Sequence, residues 1–127
     1  MEKVITIKQP YASLCVEGIK DIENRSWRTN FRGTVLIHSS AAYAIRNKEI
    51  NTLFSEAQLD NIRDFNLGEL PTSSIIGSVD IIDCVQNHNS IWALKDCWHW
   101  VLANPVKLEF PIKNVKGKLN FWNFELK

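Results

Sequence analysis

Gly18-Ile19-Lys20-Asp21-Ile22-Glu23-Asn24-Arg25 is the stretch whose reading decides how this chain folds. Residues 11–17 before it have helical spacing, with Leu14 and Cys15 at i+3 and i+4 from Tyr11. Gly18 is a natural C-terminal cap for that helix, and residues 19–26 then read as a strand entering a core. Four ionisable side chains fall between Lys20 and Arg25. Charges of both signs at the mouth of a core cost free energy unless they pair or face water, so the cluster points to a binding site. Ideal alternation puts Asp21, Glu23 and Arg25 on one face and Lys20, Ile22 and Asn24 on the other. Local twist after the glycine turn can bring Lys20 round to the Glu23 side. A lysine and an arginine flanking a carboxylate make an anion site with a built-in acceptor. Arginine meets a phosphate bidentately, while lysine acts as a point charge. The alternative is a surface ion-pair ladder worth about 0–1 kcal/mol.

Working outward, residues 4–7 alternate and read as a strand, and Pro10 suits the first turn of the helix that follows. Asn30 to Gly33 forms a turn, and residues 34–39 (TVLIHS) are a β-branched buried strand. Residues 41–65 carry helical spacing and are read as two helices or one broken helix. Residues 67–74 read as a loop. Residues 75–85 (IIGSVDIIDCV) are the strongest strand signal, and Gly77 inside it marks a bulge or the close approach of another backbone. Residues 98–102 and 106–110 are two further strands, the first stopped by Asn104-Pro105, and residues 119–126 are the last. Six or seven short strands with turns every 8–12 residues suggest a small barrel rather than a βαβ sheet.

The 127 residues fit one domain, 1–127, long enough to bury a core without staples. At 45% hydrophobic and 23% charged the composition is that of an ordinary soluble protein. No apolar run approaches the roughly 18 residues that cross a bilayer, and residues 1–9 lack the features of a secretory signal. A cytoplasmic location is expected, with no membrane partner. Cys15, Cys84 and Cys97 are too few and too scattered for a disulfide framework or a Cys-x-x-Cys metal site. His38, His88 and His99 lack metal-ligand spacing, and no phosphate-cradling glycine motif is present. No metal and no cofactor is expected. The net charge of +1 is uneven: residues 1–40 and 104–127 are net basic, and residues 41–103 are net acidic. If the two ends meet in the fold, they make a positive face against a negative back.

Other positions can carry chemistry. His38-Ser39-Ser40 closes a strand; Ser39 is weighed equally as a hydroxyl at a site mouth and as a backbone cap, while His38 and Ser40 are read as caps. Five tryptophans, Trp27, Trp92, Trp98, Trp100 and Trp122, are many for this length. Aromatics beside cations, as in Trp27-Arg28, are what single-stranded nucleic acid needs for base stacking, although core packing is the commoner use. Lys107, Lys113, Lys116 and Lys118 form a basic C-terminal segment that either tracks a phosphate backbone or protects a sheet edge.

The chain resembles the ASCH domain family of the PUA-like group of small β-barrels. The resemblance runs through Ile5 to Leu14, Gly18-Ile19-Lys20, Glu23-Asn24-Arg25-Ser26-Trp27, Arg32-Gly33, and Ile37 to Ala41. It continues with Ile76-Gly77-Ser78-Val79, Asp83-Cys84-Val85, Trp100 to Pro105, Lys116-Gly117-Lys118-Leu119 and Phe121-Trp122. Gly-x-Lys-x-x-Glu-x-Arg is its most specific element. The resemblance implies an α+β fold, a small PUA-like mixed β-barrel of about six strands with flanking helices, and a cleft beside Lys20 to Arg25. It also implies RNA or other nucleic acid as ligand. Some members are enzymes, among them amidohydrolases of N4-acetylcytidine and a ribonuclease. The amidohydrolases carry Gly-x-Lys-x-x-Thr-x-Arg, with the threonine as nucleophile; here Glu23 stands at the threonine position.

Two readings of function follow. In the first, the domain binds RNA: Lys20 and Arg25 hold phosphate or a base edge, Glu23 accepts from an exocyclic amine, and Gln9, Tyr11, Trp27, Ser39 and Asn104 complete the nucleic-acid site. In the second, it is a metal-independent hydrolase, a ribonuclease or an amidohydrolase of an acylated cytidine nucleoside. Lys20 would then stabilise the developing anion, Glu23 would be the base, and Ser39 or a water the nucleophile. A protein partner at the acidic insertion, residues 49–64, has no specific support in the sequence.

Overall fold

The computed structural model describes residues 1–44 and 54–126. Among the described residues, six strands and two short helices follow one another as β1 (Glu2–Gln9), α1 (Tyr11–Val16), β2 (Ile22–Arg25), β3 (Gly33–Tyr43), α2 (Glu56–Asn61), β4 (Ser74–Val85), β5 (Trp98–Ile112) and β6 (Trp122–Phe124). All six strands belong to one sheet in the order β2-β5-β4-β3-β1-β6. β1 and β3 are parallel and the other four pairings are antiparallel, so the sheet is mixed and the class is α+β. The expected closed barrel is not formed by strand pairing. β2 and β6, of four and three residues, stay as the two ends of the sheet.

The apolar positions of β1, β3, β4 and β5 converge on one core around Ile5, Ile37, Val79, Ile81 and Trp100. α1 lies against it. Ala12, Cys15 and Val16 enter that core, while Leu14 turns toward a second cluster with Ile22, Phe54, Ile62 and Trp92. A helix of six residues with no side-chain cap is not stable alone, so α1 exists because five of its six residues are buried. It ends as the sequence suggests. Gly18 has φ +78°, and the amides of Ile19 and Lys20 both donate to the Leu14 carbonyl at 3.0 Å. This turn sends Lys20 back toward the protein interior. The strand starts later than expected, at Ile22, because the amides of Ile19 and Lys20 are drawn back to the end of α1; the Asp21 carbonyl already accepts from the Leu102 amide of β5 at 2.9 Å.

Three expectations need correction. Residues 98–102 and 106–110 are one strand, not two. Asn104 takes a left-handed conformation at φ 50°, and between the pairs Ser78↔Val106 and Asp80↔Ala103 both Asn104 and Pro105 of β5 oppose the single residue Val79 of β4. A bulge of this kind absorbs Pro105 without ending the strand. Residues 41–43, expected in a helix, extend β3; of the rest of that helical segment, residues 45–53 lie outside the described residues. The last strand spans only three residues, because Asn120 sits at φ 57° in a turn.

Gly77 serves both of the uses foreseen for it. The β4–β5 register shifts beside it, and a Cβ there would lie 2.1 Å from the Val106 carbonyl oxygen and 2.9 Å from Val16 Cγ1. Gly77→Ala therefore forces β5 and α1 apart. Chemical denaturation should show a loss of about 2 kcal/mol or more, where Gly68→Ala at an exposed turn costs less.

Candidate functional site

The Lys20, Glu23 and Arg25 heads meet. Arg25 Nε and Nη2 each lie 2.7 Å from Glu23 Oε2, and Lys20 Nζ lies 3.5 Å from Glu23 Oε1. Lys20 Nζ also donates to the Ile22 carbonyl. The side chains are 4%, 10% and 17% exposed for Lys20, Glu23 and Arg25. Alternation along β2 puts Glu23 and Arg25 on one face, and the Gly18 turn delivers Lys20 to the same place. Arg25 also reaches across to β1, with Nη2 donating to the Thr6 carbonyl at 3.1 Å. The end strand β2 is thereby tied to β1 by a side chain rather than by a ladder.

These groups border a hollow of about 440 Å³, within the range of roughly 300–1,000 Å³ typical of small-ligand sites. Tyr11, Asn24, Trp92 and Leu94 form its walls, and Thr6 and Lys8 its β1 side. Lys20 Nζ sits 5.5 Å from the Tyr11 ring centroid. Burial raises the Tyr11 hydroxyl above its ordinary pKa; Lys20 opposes this and Glu23 adds to it. The hydroxyl is thus a neutral donor at physiological pH. Arg25 lies over the rings of Trp27 and Trp100, at 5.3 and 5.6 Å. The cluster has a formal charge of +1, Lys8 adds another, and Glu23 is the one carboxylate among the described lining residues. The hollow therefore favours an anionic ligand that also presents a donor to Glu23.

Other expected site residues sit elsewhere. Ser39 is fully buried and its hydroxyl donates to the Ser74 carbonyl at 3.2 Å. Gln9 is equally buried: its amide donates to Ser13 Oγ and the Pro71 carbonyl, and its oxygen accepts from the Ser13 amide. Asn104 lies at the β5 bulge, donating to Asp80 Oδ2 at 2.9 Å. None of the three lines the hollow. Trp27 stands beside it, half-exposed, packed edge-on against Trp100. Of the other tryptophans, Trp92, Trp100 and Trp122 are buried.

Asn24 is a site residue that the sequence reading does not single out. Its Nδ2 donates to the Trp92 carbonyl and its Oδ1 accepts from the Leu94 amide, both at 2.9 Å. The side chain thus grips the loop that supplies two walls of the hollow. His99 holds the same loop from behind, with Nε2 donating to the Leu94 carbonyl and Nδ1 accepting from the His88 amide. Asn24 lies inside the motif, and its amide, a paired donor and acceptor one residue from Glu23, is the signal that could find it.

His38 is a cap of a more extensive kind. Nε2 donates to the Val115 carbonyl, so Nδ1 is the acceptor and takes the Thr6 hydroxyl proton at 3.1 Å. Thr6 Oγ1 accepts in turn from Trp122 Nε1 at 3.0 Å. Cys15, behind Lys20, is pushed up to about 12 by burial and is not a nucleophile. Among the described residues no cluster of His, Cys, Asp and Glu is arranged to hold a metal, and no helix is long and apolar enough to cross a membrane.

A mixed sheet whose end strand carries a buried Lys–Glu–Arg triplet into a hollow beside α1 defines a small cleft-bearing α+β domain. This architecture has a family. A family model described as the ASCH domain matches residues 5–112, and the chain belongs to that family. The chain is also similar to activating signal cointegrator 1 of Homo sapiens and of Mus musculus, each 29% identical over 133 residues covering 97% of this chain. It spans 22% of the length of those relatives.

Two outcomes are expected from these contacts. Glu23→Ala leaves two cations facing each other in a largely buried place and should cost about 3–5 kcal/mol in denaturant melts, while Glu23→Gln, which keeps an acceptor, costs less. Burial holds the His38 pKa below its ordinary value, against the opposing Val115 hydrogen bond. The unfolded chain then binds the proton more readily, so stability is full above about pH 6.5 and falls as the pH is lowered through the depressed value. Unfolding at several pH values should show this fall, and His38→Gln should flatten it.

Proposed function

We propose that this domain binds RNA, and that the hollow takes one nucleotide of a single strand. What supports the reading is the meeting of the Lys20, Glu23 and Arg25 heads at a hollow of about 440 Å³ that has a formal surplus of positive charge. Lys20 and Arg25 attract phosphate and polarise a base edge. Glu23, held from both sides, is a fixed acceptor for an exocyclic amine. Tyr11 donates from the α1 side, and Trp27 offers a partly open face on which an adjoining base stacks. We read the sheet as a PUA-like barrel whose seam is this cluster, so that the ligand enters where β2 and β1 are joined only by side chains.

Among the described residues lining the hollow, no serine or threonine hydroxyl is left over to act as nucleophile for the hydrolytic alternative. Ser39 is tied to Ser74, and Thr6 Oγ1 is engaged by His38 and Trp122, so a water beside Glu23 would have to serve.

Fluorescence anisotropy with a labelled single-stranded RNA tests the binding reading. Affinity should fall as salt is raised. Lys20→Ala and Arg25→Ala should each weaken it roughly tenfold or more, as expected when one charge-assisted hydrogen bond is removed, with circular dichroism confirming the fold. Salt-insensitive association, or none with any RNA, sinks the reading. Metal-free turnover of RNA or N4-acetylcytidine, seen by mass spectrometry and abolished in Glu23→Gln, would instead favour the hydrolase.

A further inference from the structure

A second cavity, of about 380 Å³, lies on the other side of Thr6. Thr6 lines both: its carbonyl accepts from Arg25 on the hollow side, while its hydroxyl faces His38 in the second cavity. The end of β3 and the residue after it also span the two, with Ala41 at the second cavity and Ala44, just past the strand, at the hollow. The second cavity is walled by the loop Lys116-Gly117-Lys118 and by the hydroxyl residues Ser40 and Ser73. No carboxylate is among its described lining residues, and neither lysine makes an ion pair among the described residues.

The loop is fixed by its contacts. The Val115 amide donates to the Ser73 carbonyl at 2.8 Å, and the Val115 carbonyl receives His38 Nε2. Gly117 lies so close that a Cβ there would be 2.8 Å from His38 Cε1. Lys118 Nζ rests 6.0 Å from the Trp122 ring centroid. Two exposed ammonium groups are thus presented from a held backbone over hydroxyls, with no acid among the described lining residues. That chemistry suits a phosphodiester rather than a base, since lysine offers a point charge and no planar edge.

We infer that the Lys116–Lys118 groove is a phosphate subsite for the nucleotide adjoining the one in the hollow, so that the ligand is a polynucleotide strand and not a free nucleoside. The inference rests on the hollow being the base site. A strand crossing Thr6 would place consecutive residues in the two cavities, and each lysine would release counterions from the backbone it neutralises.

The test uses the full chain and a fluorescein-labelled single-stranded RNA of about ten nucleotides, with affinity followed against salt concentration. The Lys116→Ala/Lys118→Ala double variant should bind about tenfold more weakly at low salt. Its log–log salt slope should be shallower by about 0.7 for each phosphate that is no longer neutralised. Lys107→Ala, whose ammonium is held by Glu17 at 2.7 Å near a different cavity, should match the wild type. Both lysines of the double variant are exposed, so folding is not at stake. An unchanged slope in the double variant, or an equal loss in Lys107→Ala, overturns the subsite. If that happens while Lys20→Ala still weakens binding, only the subsite falls. Binding that depends on Lys116 and Lys118 but not on Lys20 removes the hollow from the reading and, with it, the claim that a strand joins the two. Absence of binding by the wild type overturns both.

Discussion

Glu23 held between Arg25 and Lys20 is the interaction on which the arrangement of this domain depends. β2 is an end strand of four residues, paired to β5 alone, and a strand that short contributes little by its ladder. The carboxylate lets a guanidinium and an ammonium share a largely buried position, and the guanidinium carries the connection onward to the β1 backbone at Thr6. Charges are expensive in such a place unless each finds a partner, and each here does. The same pairing leaves the lysine and the carboxylate facing a hollow, so the device that joins the sheet's two distant strands is also its candidate binding chemistry.

How much of this the sequence discloses depends on the kind of residue. Gly18 announces both the end of α1 and the turn that brings Lys20 inward, because a positive φ after a helical run has few other residues to choose from. Alternation places Glu23 with Arg25. Gly77 signals the tight β4–β5 contact. Polar residues are harder. Gln9, Ser39 and Asn104 are expected at the site, yet each spends its hydrogen bonds on a neighbouring main chain or side chain, and a residue's name does not say whether its partner is protein or ligand. Asn24 is the converse case. Alternation assigns it to the face opposite the charges, and it proves to anchor the loop around Trp92. Pro105 misleads for another reason: the rule that proline ends a strand assumes a regular ladder, and Asn104 supplies a bulge.

The aromatic residues divide along similar lines. Trp100 lies at the centre of the core, stacked on Phe121 and edge-on to Trp27, so Arg25 rests on a platform that the core itself holds in place. Trp122 meets His38 twice, edge-on between the rings and through the Thr6 hydroxyl. Thr6 is therefore used three ways, as a strand residue, as the receiver of Arg25 and as the middle of a hydrogen-bond relay. Its contacts on both sides of β1 fix the position of that strand between Arg25 and the His38–Trp122 pair.

The pairing of β1 with β6 sets Glu2 beside Phe124 and Val4 beside Trp122. Every other element of the domain lies in sequence between these two partners. Contacts of such long sequence separation form late and slow folding, and until they form one edge of β1 stays bare, with its amides and carbonyls open to any passing strand. During synthesis that edge stays open until the β6 segment has left the ribosome, so the exposed row of amides and carbonyls belongs to the nascent chain and not to the folded domain.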